Sequence, residues 1–224
     1  MIETTPFTAN IRKFSGTGSQ EVADRIAEEA ASGFQIKSHT DRRLSGYHLQ
    51  EEVVKMNVVN ESGEVVEEEI ERISPVPFSI CLEGNIVEVY SDQTNTSELV
   101  SELTKAAGPE FTVSESPLQL KRVYEKLTED GLMTDLGSLR ISNFEAKRNL
   151  SGTFTAKNVL YENATELMDG RENEITVMRG TVKSADVEGK VGFFRSGSVR
   201  VYSHLDEELQ FWNAIMDKVM EVYL

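Results

Sequence analysis

The chain has 224 residues with 38 acidic and 23 basic side chains, a formal charge of −15, and 39% of its residues are hydrophobic. That length allows one large domain or two of about 110 residues, and the apolar share excludes wholesale disorder. The single cysteine, Cys81, excludes an internal disulfide, a zinc site of several cysteines and an iron–sulfur cluster.

The N-terminal stretch Met1–Pro6 has no basic segment followed by an apolar core, and no apolar run approaches the ~20 residues that span a bilayer. The expectation is a cytoplasmic protein without a membrane segment. From there, a strand is predicted over 7–14, then Ser15-Gly-Thr-Gly18 and a helix over about 18–32 with Val22, Ile26, Ala27 and Ala30 on one face. Strands follow over 34–40, 47–59 and 65–73. A hairpin joins 78–82 to 86–90 through Glu83-Gly84-Asn85, and a helix over about 96–107 ends at Gly108-Pro109. The second half is predicted to run likewise: strand 111–114, helix 117–130, and strands 138–146, 153–161, 175–182, 191–194 and 199–202. In the last helix Leu209, Trp212, Ile215, Met216, Val219, Met220 and Tyr223 recur every three or four residues.

The halves share more than their order. Val87, Val89, Tyr90 and Ser91 match Val199, Val201, Tyr202 and Ser203 at an offset of 112, and Leu44-Ser-Gly46 matches Leu150-Ser-Gly152 at 106. Each Leu-Ser-Gly follows a basic pair, Arg42-Arg43 or Lys147-Arg148. Thr17 with Gln20 and Ser116 with Gln119 have capping-box spacing, and both helices stop at a glycine, Gly33 or Gly131. The expectation is an α+β tandem duplication of a strand–helix–antiparallel strands–helix unit, with residues 1–108 and 109–224 as the two repeats.

That order, and the string Phe193-Phe-Arg-Ser-Gly-Ser-Val-Arg-Val-Tyr-Ser203 with the helix after it, resembles the TATA-box-binding-protein-like fold. The resemblance implies a continuous curved antiparallel sheet with helices on one face. There are differences. Each half is predicted to hold one strand more than that family uses. Asn10-Ile11 in the first strand has Thr112-Val113 as its counterpart, and the early hairpins carry Leu44 and Leu150 where the family inserts phenylalanines into DNA.

Arg42, Arg43, Lys147 and Arg148 fall at equivalent hairpin tips. They are candidate phosphate contacts, with Leu44 and Leu150 as apolar wedges, set against the plain reading of solvated charged tips. Arg179, Lys183, Lys190, Arg195 and Arg200 make the later part of the second half the least hostile to nucleic acid, whereas residues 1–108 carry 19 acidic and 9 basic side chains. Ser15-Gly-Thr-Gly-Ser19 lacks the endings of phosphate-binding loops and reads as a strand-to-helix turn. His39, His48 and His204 form no metal-ligand pattern, and the run Glu64–Glu71 reads as a strand with a solvated acidic face. Cys81 reads as a small buried side chain.

The expectation is therefore a non-catalytic binding protein without a cofactor or metal, presenting outward polar positions such as Glu67, Glu69, Glu88, Arg195 and Arg200. The overall charge favours a protein partner or self-association. DNA held by the hairpin tips is the alternative, and a pocket protein or enzyme ranks last. A catalytic cleft would require Asp41, Tyr47, His48 and Asp92 to converge.

Overall fold

A computed structural model describes residues 8–16, 19–28, 33–147, 150–202 and 208–223, which hold eleven strands and five helices. The protein is α+β, and every strand pairing with an assigned register is antiparallel. Two compact units divide the chain: Phe14–Val113, and Met1–Lys13 with Ser114–Leu224. Strand β1 (Thr8–Ser15) passes from one to the other.

In the 14–113 unit, helix α1 (Ser19–Glu28) precedes β2 (Phe34–His39), β3 (Arg43–Val59), β4 (Val65–Cys81) and β5 (Ile86–Val89), and α2 (Gln93–Ala107) closes the unit. The strands lie in the order β2-β3-β4-β5, followed by the end of β1, whose Phe14 amide donates to the Asn85 carbonyl at 2.8 Å. Alternation decides which side chains are buried. Leu44, Val76, Phe78 and Ile80 point to the side where Ala23 and Ile26 of α1 and Leu99 and Leu103 of α2 pack, together forming one core. The Asp92 side chain caps α2 by accepting from the Asn95 amide at 2.9 Å, and Gly108 (φ 91°) ends the helix.

The two strands predicted over 65–73 and 78–82 are one strand of 17 residues. Pro75 and Pro77 do not break it, because their nitrogens face the β5 side beyond the last paired β5 residue. The Tyr90 amide reaches the Pro77 carbonyl there at 2.9 Å, and Leu49, opposite Pro75, gives its amide to Gly33. No ladder bond is lost. β3 and β4 pair along all 17 positions, from Arg43↔Cys81 to Val59↔Val65. The Asn60 side chain closes their turn by accepting from the Ser62 and Glu64 amides at 3.1 and 2.9 Å.

In the C-terminal unit the chain runs β6 (Thr112–Glu115), α3 (Leu120–Glu129), β7 (Met133–Lys147), β8 (Leu150–Val159), α4 (Tyr161–Met168), β9 (Ile175–Ser184), β10 (Val187–Phe194), β11 (Ser198–Val201) and α5 (Glu208–Tyr223). The sheet order is β1-β11-β10-β9-β7-β8, with β6 also paired to β1. Leu120, Val123 and Leu127 of α3 and Phe211, Trp212 and Ile215 of α5 are buried with Met178, Val182, Val191, Phe193 and Val199 of the strands. Sequence patterning does not anticipate α4, a helix of eight residues whose N-cap, Leu160, makes no side-chain cap bond.

Helix α3 starts later than predicted. The Leu118 amide is taken by the Arg195 carbonyl at 2.9 Å, and Ser116 is buried with its carbonyl accepting from the Tyr223 hydroxyl at 2.9 Å. The expected Ser116–Gln119 capping box therefore does not form. Thr17, the partner of Gln20 in the other box, lies outside the described residues.

The β10–β11 turn depends on Gly197. Its φ is 85°, its carbonyl accepts from the Ile11 amide at 2.9 Å, and an added Cβ would lie 2.7 Å from the Ile11 carbonyl oxygen. The backbone conformation alone costs an L-residue about 1–2 kcal/mol, and the close approach adds to that. We predict that Gly197→Ala lowers the unfolding free energy by at least about 2 kcal/mol, measured by urea denaturation.

Candidate functional site: a cationic sheet face with two aromatic rings

The face of the C-terminal unit's sheet turned away from its core is built by the same alternation that buries Met178, Val191 and Val199. One cross-strand row runs Ser138↔Arg179, Arg179↔Gly192, Gly192↔Arg200 and Arg200↔Thr8. The adjacent row brings Thr155↔Arg140, Arg140↔Val177 and Val177↔Phe194 together. Lys157 lies opposite Ser138, and Lys183 and Lys190 continue β9 and β10 on the same side. Arg140, Lys157, Arg179, Lys183 and Lys190 are exposed.

Gly192 sits at the centre of this face. With no side chain there, the rings of Tyr202 and Phe194 close over it, and a Cβ would meet them at 2.9 and 3.2 Å. The Arg179 and Arg200 guanidiniums lie 5.8 and 6.0 Å from the Phe194 ring centre, within cation–π range. Arg200 also donates from Nε to the Thr8 hydroxyl at 3.1 Å. Beside the rings is a shallow hollow of about 460 Å³ lined by Ser138, Asn158, Arg179, Thr181, Lys190 and Tyr202 among others. Among the described residues, Arg140, Lys157, Arg179, Lys183 and Arg200 form no ion pair with a carboxylate. The face is predominantly cationic, with Asp135 in the lining of the hollow and Glu188 opposite Lys183 as its acidic members.

The residues singled out from sequence are dispersed. Arg42 is at the β2–β3 tip, its side chain 79% exposed, and pairs with Glu83 at 3.1 Å. Arg43 stays on the outer face, half-exposed, and is held by its neighbours: it reaches Glu88 at 2.5 Å and also bonds Ser79, while the Tyr90 hydroxyl donates to the same Glu88 oxygen. Glu88, expected outward, is 2% exposed, because Arg43, Ser79 and Tyr90 close over it. Leu44 is wholly buried in the core, on the opposite strand face from Arg43, so it is not a wedge at the tip. Arg195 lies in the β10–β11 turn, off the strand, with its guanidinium on the Asn173 carbonyl. Lys147 and Leu150 pair across the β7–β8 turn; their side chains, Arg148 and His204 lie outside the described residues. Of the basic residues named from the sequence, Arg179, Lys183, Lys190 and Arg200 belong to the cationic face, and Arg42, Arg43 and Arg195 do not.

The four residues that a catalytic cleft would bring together also scatter. Tyr47 and His48 are neighbours in β3 and point to opposite faces. Asp92 caps α2, and Asp41 is exposed in the β2–β3 turn. His48 is buried, its ring 4.8 Å from that of Phe34 and its Nδ1 without a hydrogen-bond partner. Cys81 is half-buried, as β4 leaves the core. Among the described residues, no group of three or more His, Cys, Asp or Glu side chains is arranged to hold a metal ion, and no helix formed by them is long and apolar enough to cross a membrane. No family model matches the chain, and no curated protein matches it.

Two buried polar groups have measurable consequences. Removing Arg43 leaves the buried Glu88 with the Tyr90 hydroxyl as its remaining side-chain donor, so Arg43→Met should destabilise by about 1–2 kcal/mol, and Arg43→Met with Glu88→Leu should recover most of the loss. Burial lowers the His48 pKa below its ordinary value, with Glu102 and Glu98 of α2 offsetting part of the shift. The unfolded chain then takes up a proton that the native state refuses, so stability falls as pH drops below about 6.5. His48→Leu should flatten that slope between about pH 7 and pH 5 in denaturation curves.

Proposed function

We propose that this is a non-catalytic binding protein whose cationic, aromatic sheet face holds the backbone and bases of a nucleic acid strand. The observation that carries this is the cluster of Arg179, Arg200 and Phe194 around Gly192, with Arg140, Lys157 and Lys183 nearby and none of these five cations paired to a carboxylate. Cations spaced over a sheet engage successive phosphates, and accessible rings between them, here Tyr202 exposed and Phe194 half-buried, stack on bases whatever their sequence. The −15 charge argues for a protein partner only if it is spread evenly. Here cations outnumber the carboxylates Asp135 and Glu188 on this face, and at about 0.15 M salt the field of charges further than about 8 Å away is largely screened. The hairpin tips have no part in this reading.

The tandem duplication and the TATA-box-binding-protein-like arrangement belong to the same proposal. Asn85 and Gly197, 112 residues apart, are both left-handed turn residues, φ 52° and 85°, and each accepts an amide bond from β1, at 2.8 Å from Phe14 and 2.9 Å from Ile11. Val87 and Val89 on β5 and Val199 and Val201 on β11 are buried alike, and each short strand leads into a long helix. This supports a common origin for the two halves.

Fluorescence anisotropy of labelled single-stranded and duplex DNA at low and high salt tests the function. Saturable binding to the single strand is expected, weakening with salt. Phe194→Ala should cost about 1–3 kcal/mol, the usual worth of one stacked base. Arg179→Ala with Arg200→Ala should reduce the slope of log K against log salt by about 1.4. Absence of binding by either nucleic acid at low salt would remove the reading.

A further inference from the structure

Beyond the nucleic acid reading, we propose that the far half of the β3–β4 ribbon docks on the cationic sheet face of a second copy of this chain. Past Leu49 and Pro75 the two strands pair only with each other, since β2 reaches β3 no further than His48 and β5 reaches β4 no further than Phe78. The extension of ten residues per strand is about 33 Å long, and a two-stranded ribbon standing alone is marginal in water. One of its sides exposes Val53, Val59, Val65 and Ile73. The same side carries Glu51, Glu67, Glu69 and Glu71 around a single cation, Lys55, which lies 3.3 and 3.5 Å from Glu67 and Glu69. Such a surface is covered best by one that offers cations and apolar rings together.

The chain carries that surface itself. Arg140, Arg179 and Arg200 are spread across neighbouring strands without a carboxylate partner, and Phe194 and Tyr202 provide apolar area between them. Along β4, Glu67, Glu69 and Glu71 repeat every ~7 Å, a spacing that strand-borne cations can meet one to one. Ribbon-to-ribbon pairing is opposed by charge: residues 51–73 hold eight acidic and two basic side chains. Because the two surfaces differ, the contact is head-to-tail and extends copy by copy. It needs the cations of the proposed nucleic acid site but no nucleic acid, so the failure of one leaves the other standing.

Sedimentation velocity of the full chain over rising concentration tests it. At about 0.15 M salt the apparent mass should rise with concentration, and at about 1 M, where screening acts within about 3 Å, it should fall to that of the monomer. Inorganic polyphosphate, which occupies the cations, should dissociate the assembly. Glu67→Lys, Glu69→Lys and Glu71→Lys together should leave a monomer. Arg140→Glu, Arg179→Glu and Arg200→Glu together should do the same, and mixing the two variants should restore association. A shortened ribbon, with residues 54–70 replaced by Asn-Gly, keeps the core strands intact and should also be monomeric. The proposal is overturned if the native chain stays monomeric at about 0.15 M salt, or if the shortened ribbon associates as before. It is equally overturned if association survives about 1 M salt, which would assign the contact to the aliphatic side chains alone.

Discussion

A side chain on a strand has two directions available, and in each unit one of them leads into a core while the other leads to a surface with its own chemistry. Most of the arrangement described above follows from that constraint. Leu44 enters the core because Arg43 does not, and Arg43 is thereby placed over Glu88. Met178 and Val191 enter the other core, and Arg179 and Lys190 are thereby placed outside. The cationic face is the residue-by-residue complement of a hydrophobic one. Its position is set by packing, and only its composition was free to be chosen for charge.

What could be read from the sequence, and what could not, follows the same line. Long periodic segments such as α5 and the antiparallel strands were legible because burial writes a period of two or 3.6 into the apolar residues. The continuity of β4 was not, since a proline ends a strand only if its nitrogen faces a partner, and that depends on where β5 stops. Helix α4 had no cap or stripe to announce it. Arg179, Lys183, Lys190 and Arg200 stood out as a basic stretch, but Arg140 and Lys157 lie 20 to 60 residues earlier and join them only through the β7–β9 and β7–β8 registers. One sign was present in the string itself. Lys190, Gly192 and Phe194 alternate with buried residues, as do Arg200 and Tyr202, which already places them on one side of their strands. At the β2–β3 tip, Arg43 and Leu44 could not share a role, because adjacent residues on a strand point to opposite faces and Leu44 is the one that enters the core.

The formal charge of −15 is similarly a poor guide to any one surface. Eight carboxylates fall within the 23 residues of the distal ribbon, while among the described residues Arg140, Lys157, Arg179, Lys183 and Arg200 of the C-terminal sheet form no ion pair with a carboxylate. Within a screening length of about 8 Å at physiological salt, a ligand meets the local pattern and not the sum. A protein of this kind can repel and attract polyanions on different sides.

Strand β1 has a consequence for the order in which the protein is made. Thr8 and Ala9 pair with Arg200 and Val199, about 190 positions later, while Phe14, at the other end of the same strand, belongs with residues complete by Val113. During synthesis the 14–113 unit has all its strands and both helices once its last residue clears the ribosome. The head of β1 must wait for the end of the chain, holding an unpaired edge for the roughly 5–20 s or more that about 100 residues take to add. Contacts of such long sequence separation close slowly and late. Strand β1 thus completes its pairing only once β11 has been made, which leaves Ala9 and Ile11 without that cover in the interval.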